Sequence, residues 1–188
     1  MLTPTPLWDI WAKMKRNFSQ IVRDLGVIPG VAAVTLLLDQ ASKLAVVFGL
    51  DLEHRIEMDV LPPVLVFRMA WNDGVNFGLL GDQSHVMRWV LIAVALAIST
   101  WVVIWVRREK GGVWSQVAAG LLVGGALGNV IDRLAYGAVA DFLNMSCCGI
   151  DNPFAFNLAD VAVFAGALGL VLLSGGAKPK SGKGRKTP

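Results

Sequence analysis

A bundle of four transmembrane helices carrying a small outward-facing β-sheet, an all-α membrane protein in class, is the fold that this sequence predicts. The first observation behind it is compositional: of 188 residues, 55% are hydrophobic and only 16% charged. A water-soluble domain of this length is normally far less apolar. The second is distribution. Residues 27–50, 89–106, 113–134 and 156–173 carry most of the apolar weight, each close to the ~20 residues that cross ~30 Å of hydrocarbon. The third is a break in the pattern at residues 56–71, where Ile56, Met58 and Val60 alternate before Pro62 and Pro63, and Val64 and Val66 follow. A period of two around a proline turn predicts two short strands.

Taken in order, the chain divides into an amphipathic segment (1–26), the four-span body (27–173) and a basic tail (174–188). In the first segment Trp8, Trp11, Phe18, Val22 and Leu25 recur at helical spacing among polar residues, as in a helix lying at the membrane interface, although a tail that is only transiently helical fits as well. Because the first apolar run begins late and holds Asp39 and Lys43 near its middle, it is expected to be a retained span, not a cleaved leader. The tail, rich in Gly, Pro, Ser and Lys, is expected to be disordered. In the third span Gly120, Gly124 and Gly128 recur every four residues with Gly125 alongside, leaving a face on which a neighbouring helix can approach closely.

Basic residues set the orientation. Lys13, Lys15, Arg16 and Arg23 precede the first span, Arg107, Arg108 and Lys110 separate the second from the third, and Lys178, Lys180, Lys183, Arg185 and Lys186 follow the fourth. By the positive-inside tendency these segments and both termini are cytoplasmic, so residues 51–88 and 135–155 face outward.

Ionisable groups within spanning helices cost about 2.5–3.5 kcal/mol each unless they are paired, so their positions are informative. Asp39 and Lys43 stand four apart and can form an intrahelical ion pair. Asn129, Asp132 and Arg133 cluster at the outward end of the third span, where an isolated Arg would simply snorkel to the interface. Asp141 lies in an apolar stretch just beyond it, and Asn157 and Asp160 sit one turn apart at the outward start of the fourth span. Asp160 also reads as an ordinary first-turn acid favoured by the helix dipole. Consecutive antiparallel helices can bring Asp141 and Asp160 to one depth. Two apposed carboxylates in a partly dry site share a proton, one serving as base and the other as acid, which is what amide hydrolysis by water requires.

Five blocks, Asp39-Gln-Ala-Ser-Lys43, Asn72-Asp-Gly-Val-Asn-Phe77, Gly124-Gly-Ala-Leu-Gly-Asn-Val-Ile-Asp-Arg133, Val139-Ala-Asp-Phe142 and Phe156-Asn-Leu-Ala-Asp160, resemble in order and placement the signature blocks of bacterial lipoprotein signal peptidases, also called signal peptidase II. The resemblance covers residues 27–173. It implies a membrane aspartyl endopeptidase that cuts diacylglyceryl-modified prolipoproteins before the lipid-bearing cysteine, at the outer face of the inner membrane. It implies Asp141 and Asp160 as the catalytic pair, Asn72, Asn129, Arg133 and Asn157 as residues lining the site, and Asp39, Lys43, Gly125 and Asp132 as residues maintaining the surrounding helices. The chain departs from the family pattern at Val75 and Asn76, where small residues are usual.

No metal, cofactor or nucleic acid is expected. Membrane phospholipid is the expected surrounding, and the chain is expected to act as a monomer. His54 and His85 have no evident nucleophile partner and read as surface or interface residues, while the vicinal Cys147 and Cys148 are poorly placed for a disulfide. A small proton-coupled transporter is the main alternative, since intramembrane charges also build proton pathways. A non-catalytic scaffold is another, and it would leave both aspartates without a task.

Overall fold

The computed structural model describes residues 26–62, 64–74, 84–146 and 152–174. Residues 1–25 of the expected amphipathic segment, residues 175–188 of the basic tail, Val75, Asn76, Cys147 and Cys148 lie outside the described residues. Helix α1 (Ile28–Lys43) runs on through a π-helical stretch, Leu44–Gly49. After it come the one-turn helix α2 (Leu52–Arg55), strands β1 (Glu57–Leu61) and β2 (Leu65–Asn72), and helices α3 (Ser84–Arg108) and α4 (Val113–Tyr136). Strand β3 (Val139–Met145) and helix α5 (Leu158–Ser174) complete the order.

Burial is inverted relative to a water-soluble protein. Leu37, Phe164, Val171 and Leu172 are exposed, while Asp39 (0%), Asp132 (1%) and Asn157 (0%) are sealed inside. That distribution suits a hydrocarbon surround, in which apolar side chains gain nothing by turning inward and polar ones must. Ile28–Gly49, His85–Arg108 and Val113–Tyr136 are long and apolar enough to cross a membrane, whereas Leu158–Leu173 is shorter. The chain is thus a multi-pass membrane protein, with three helices of full spanning length among the described residues.

Helix α4 touches α1, α3 and α5, and its glycines are the reason it can. A side chain at Gly120 would meet Val31 and the Ile28 carbonyl, one at Gly124 would meet Ala32 and Thr35, and one at Gly125 would meet the Ala159 carbonyl. The expected glycine face therefore serves two neighbours, α1 and α5. Close backbone approach of this kind is the main source of helix adhesion where lipid offers no hydrophobic drive. Two apolar clusters form, one of Ile28, Val102, Val106, Ala118, Ala119, Leu122 and Leu170, the other of Val47, Leu52, Ala140 and Phe142 under the sheet.

The two expected strands are present, and a third joins them: the sheet order is β1-β2-β3, antiparallel throughout. Asp141 therefore lies on a strand, which corrects the expectation that consecutive helices supply both carboxylates. The route is set by Gly137, which at φ 91° closes α4 in the left-handed conformation that glycine adopts without steric cost. The chain then turns straight into β3. Its residues Val139, Ala140, Asp141 and Phe142 are all buried, so the strand carries no alternation by which it could be recognised.

Candidate active site

The site forms where the sheet meets the ends of α4 and α5. Register places Asn72 opposite Val139 and Ala70 opposite Asp141, so Asn72 is a diagonal cross-strand neighbour of Asp141. Its Nδ2 donates to Asp141 Oδ2 at 3.0 Å, and its Oδ1 accepts from Gly74 N at 2.9 Å.

Asp160 is positioned by local sequence. Asn157 precedes α5 as its N-cap and Asp160 is the third residue in. The Asp160 backbone N–H donates to Asn157 Oδ1 at 2.9 Å, and the Asn157 N–H donates to Asp160 Oδ2 at 3.2 Å. This reciprocal pair is a capping box with Asp in place of the usual Glu or Gln. The other oxygen, Asp160 Oδ1, accepts from Asn129 Nδ2 at 2.9 Å.

Asn157 ties the halves together. Fully buried, it donates through Nδ2 to Asp141 Oδ1 at 2.6 Å and also approaches Asn129 Oδ1 at 3.3 Å. Asp141, Asn157, Asp160, Asn129 and Asn72 thus form one hydrogen-bonded constellation drawn from β2, α4, β3 and α5. Burial raises the Asp141 carboxyl from its ordinary value of 3.8 to about 6, the nearby Asp160 charge adds to the rise, and the hydrogen bonds from Asn72 and Asn157 and the Lys43 charge oppose it.

Arg133 reaches the same region less tightly. Its Nη1 donates to the Asn129 carbonyl at 3.4 Å, and its Nε is buried without a hydrogen-bond partner among the described residues. A cavity of about 470 Å³ opens onto Asp141 and Asn72 and is also lined by Ala70, Trp71, Pro153, Phe154 and Ala155.

Beneath the constellation lies a second polar cluster. Lys43 Nζ bonds Asp39 Oδ2 at 2.7 Å, the expected i,i+4 pair, and also Asp132 Oδ2 at 2.8 Å. Asp39 Oδ1 accepts the Ala159 N–H at 2.9 Å, and Asp132 Oδ2 accepts the Ala140 N–H at 3.2 Å. Each bond fixes the residue immediately before Asp160 or Asp141. Gln40, which sequence reasoning passed over, bridges Asp132 at 2.9 Å and Asp39 at 3.2 Å. Its presence beside Asp39 in an apolar helix was the available signal. Asn144 was also missed, although it stands three residues after Asp141 in an otherwise apolar run. His54 and His85 are exposed, His54 against Asp51 at 2.7 Å and His85 against the Trp89 ring.

Residues 31–175 match the family model described as signal peptidase (SPase) II. A lipoprotein signal peptidase of Methylorubrum extorquens (strain PA1) is 47% identical over 138 residues, covering 73% of this chain and 79% of that protein. One from Methylobacterium radiotolerans is 43% identical over 155 residues, covering 82% and 88%. Among solved structures, a bacterial membrane enzyme determined by the in meso method at 1.9 Å superposes with a TM-score of 0.65 at 26% identity, covering 78% of this chain and 91% of that one.

Proposed function

The chain belongs to the signal peptidase II family, and from that premise we propose that it removes signal peptides from diacylglyceryl-modified prolipoproteins by aspartic catalysis at Asp141 and Asp160. The observation that carries this reading is the Asn157 bridge, with Nδ2 on Asp141 Oδ1 and the backbone N–H on Asp160 Oδ2. One buried residue thereby holds two carboxylates of different elements, through its side chain and its backbone, and Asp141 opens onto the cavity.

Asp141, pushed up to about 6, is the member that keeps the shared proton, and it serves as the acid that protonates the scissile carbonyl oxygen. Asp160 serves as the base that takes a proton from the attacking water. On collapse of the tetrahedral diol the proton on Asp160 passes to the leaving nitrogen and one diol hydroxyl returns its proton to Asp141 as the C–N bond breaks, so the pair ends the cycle as it began. Asn72, Asn129 and Asn157 hold the carboxylates in orientation, and the half-buried Arg133 supplies positive charge beside substrate carbonyls. Because the lipid anchors the substrate at membrane depth, confinement to two dimensions supplies part of the positioning that a soluble protease obtains from a deep cleft.

In this reading α5, although short, is the fourth span, and the chain works as a monomer among phospholipids. The basic segments lie in the cytoplasm and the site faces outward from the inner membrane. The test is to incubate the purified protein with lipid-modified and unmodified proprotein. Wild type is expected to cut only the modified form, and Asp141→Asn and Asp160→Asn are expected to cut neither while remaining folded. Near-normal turnover by either variant would remove the dyad, and a wild type that cut neither substrate would remove the peptidase.

A further inference from the structure

Asn144 lies on β3, three residues beyond Asp141, and is 2% exposed. Its Nδ2 donates to the Asn152 carbonyl at 2.7 Å and to the Phe154 carbonyl at 2.9 Å. Both partners are acceptors, so the orientation of the amide is fixed by chemistry: only the nitrogen end can face them. Both amide hydrogens are spent on alternate carbonyls of one short segment.

That segment, residues 152–155, has no regular secondary structure. Its other ties are the Asn152 N–H to Ser146 Oγ at 3.0 Å, the Phe154 N–H to Asn152 Oδ1 at 3.0 Å, and the bridge between Phe156 and Leu143 that follows. Pro153, Phe154 and Ala155 line the cavity onto which Asp141 and Asn72 open, together with Ala70 and Trp71. Phe154 is 66% exposed, so a lining residue of the cavity carries an accessible aromatic ring. Asn144 itself does not line the cavity.

We infer that Asn144 is a specificity-positioning residue: through the 152 and 154 carbonyls it sets the part of the cavity lining that meets the substrate side chains beside the scissile bond. The inference rests on the peptidase reading above. Only an Asn-like group meets the geometric demand at this position. An Asp in its place offers no N–H and turns oxygen toward two carbonyls, and an Ala leaves both carbonyls without the donor that now ties them to β3. That part of the lining would then shift relative to Trp71 while Asp141, held separately by Asn72 and Asn157, keeps its place.

The test uses a panel of diacylglyceryl-modified prolipoprotein peptides that differ in side-chain size beside the scissile bond, with purified wild type, Asn144→Asp, Asn144→Ala and Phe154→Ala. The Asn144 variants are expected to raise KM by about tenfold or more with kcat within about twofold, the signature of lost binding with intact chemistry. Phe154→Ala, at an exposed position, should flatten the preference among peptides in the same sense and carries the test if the Asn144 variants fail to fold. Loss of kcat at unchanged KM, or an unaltered preference in Phe154→Ala, would overturn the assignment. A wild type that cut none of the panel would overturn the peptidase reading and this inference with it, whereas a cutting wild type with indistinguishable variants overturns this inference alone.

Discussion

Asp141 holds its proton to higher pH than an exposed aspartate because burial penalises its charge and Asp160 repels it. The sign follows from the direction of the shift. The proton is present in full below the ordinary value of 3.8 and is lost as pH rises through about 6, so the stability this group contributes also declines over that interval. If Asp141 is the acid of the pair, kcat/KM, which reports the free enzyme, falls on the alkaline side beginning near this value. The acid limb comes from protonation of the pair as a whole. A kcat/KM profile measured in detergent that stayed flat between about pH 4 and pH 9 would exclude the proton-sharing pair. The same residue explains the neighbourhood of amides: Asn72 and Asn157 can donate to a carboxylate without adding a formal charge to a site that must hold only one.

At the scale of elements, α4 is placed by what it lacks. Gly125 faces the Ala159 carbonyl so closely that a methyl group would press on backbone, not on a movable side chain. Gly125→Ala is therefore expected to destabilise by about 1–3 kcal/mol, the usual cost of overpacking. It should also reduce cleavage, because Ala159 precedes Asp160. Gly30, in the first turns of α1, has nothing within 4 Å of the same atom, so Gly30→Ala should be neutral or stabilise by up to about 1 kcal/mol. Thermal unfolding in detergent of the two variants side by side checks both signs, and equal effects would mean that close packing of α4 is not the cause. The capping box of Asn157 and Asp160 is the matching device on α5, since it closes the helix start with the very carboxylate that the proposed chemistry uses.

For the molecule as a whole, the Asp39, Lys43 and Asp132 cluster is the joint. Lys43 sits between two buried carboxylates, and those carboxylates accept from Ala159 on α5 and Ala140 on β3. The first helix thereby fixes both segments that carry the paired aspartates. Lys43→Met, which keeps the stem and removes the cation, should destabilise by about 3–5 kcal/mol, as when one partner of a buried ion pair is deleted. A loss below about 1 kcal/mol by unfolding in detergent would show the cluster to be dispensable. This connection was only half visible beforehand. The i,i+4 spacing showed that Asp39 could meet Lys43, but nothing local indicated that Asp132, 89 positions after Lys43, would be the second partner.

By itself the sequence determined the environment and the reagents. Apolar runs of spanning length, basic flanks and a few polar groups amid them are one-dimensional signals, because hydrocarbon imposes its demand on each segment separately. The two strands with alternating or proline-marked pattern were legible for the same local reason, as were the glycine face of α4 and the polar residues now found together at the sheet end. Tertiary structure decided the rest. It made residues 139–145 a strand whose first four residues are buried on both faces, where the period-two signal vanishes. It also set the register that brings Asn72 to Asp141, and it turned Asn144 and Gln40 from unremarked polar residues into bridges. Each of those depends on which donor meets which acceptor across the fold, and hydrogen-bond partners distant in the chain leave no periodic trace in it.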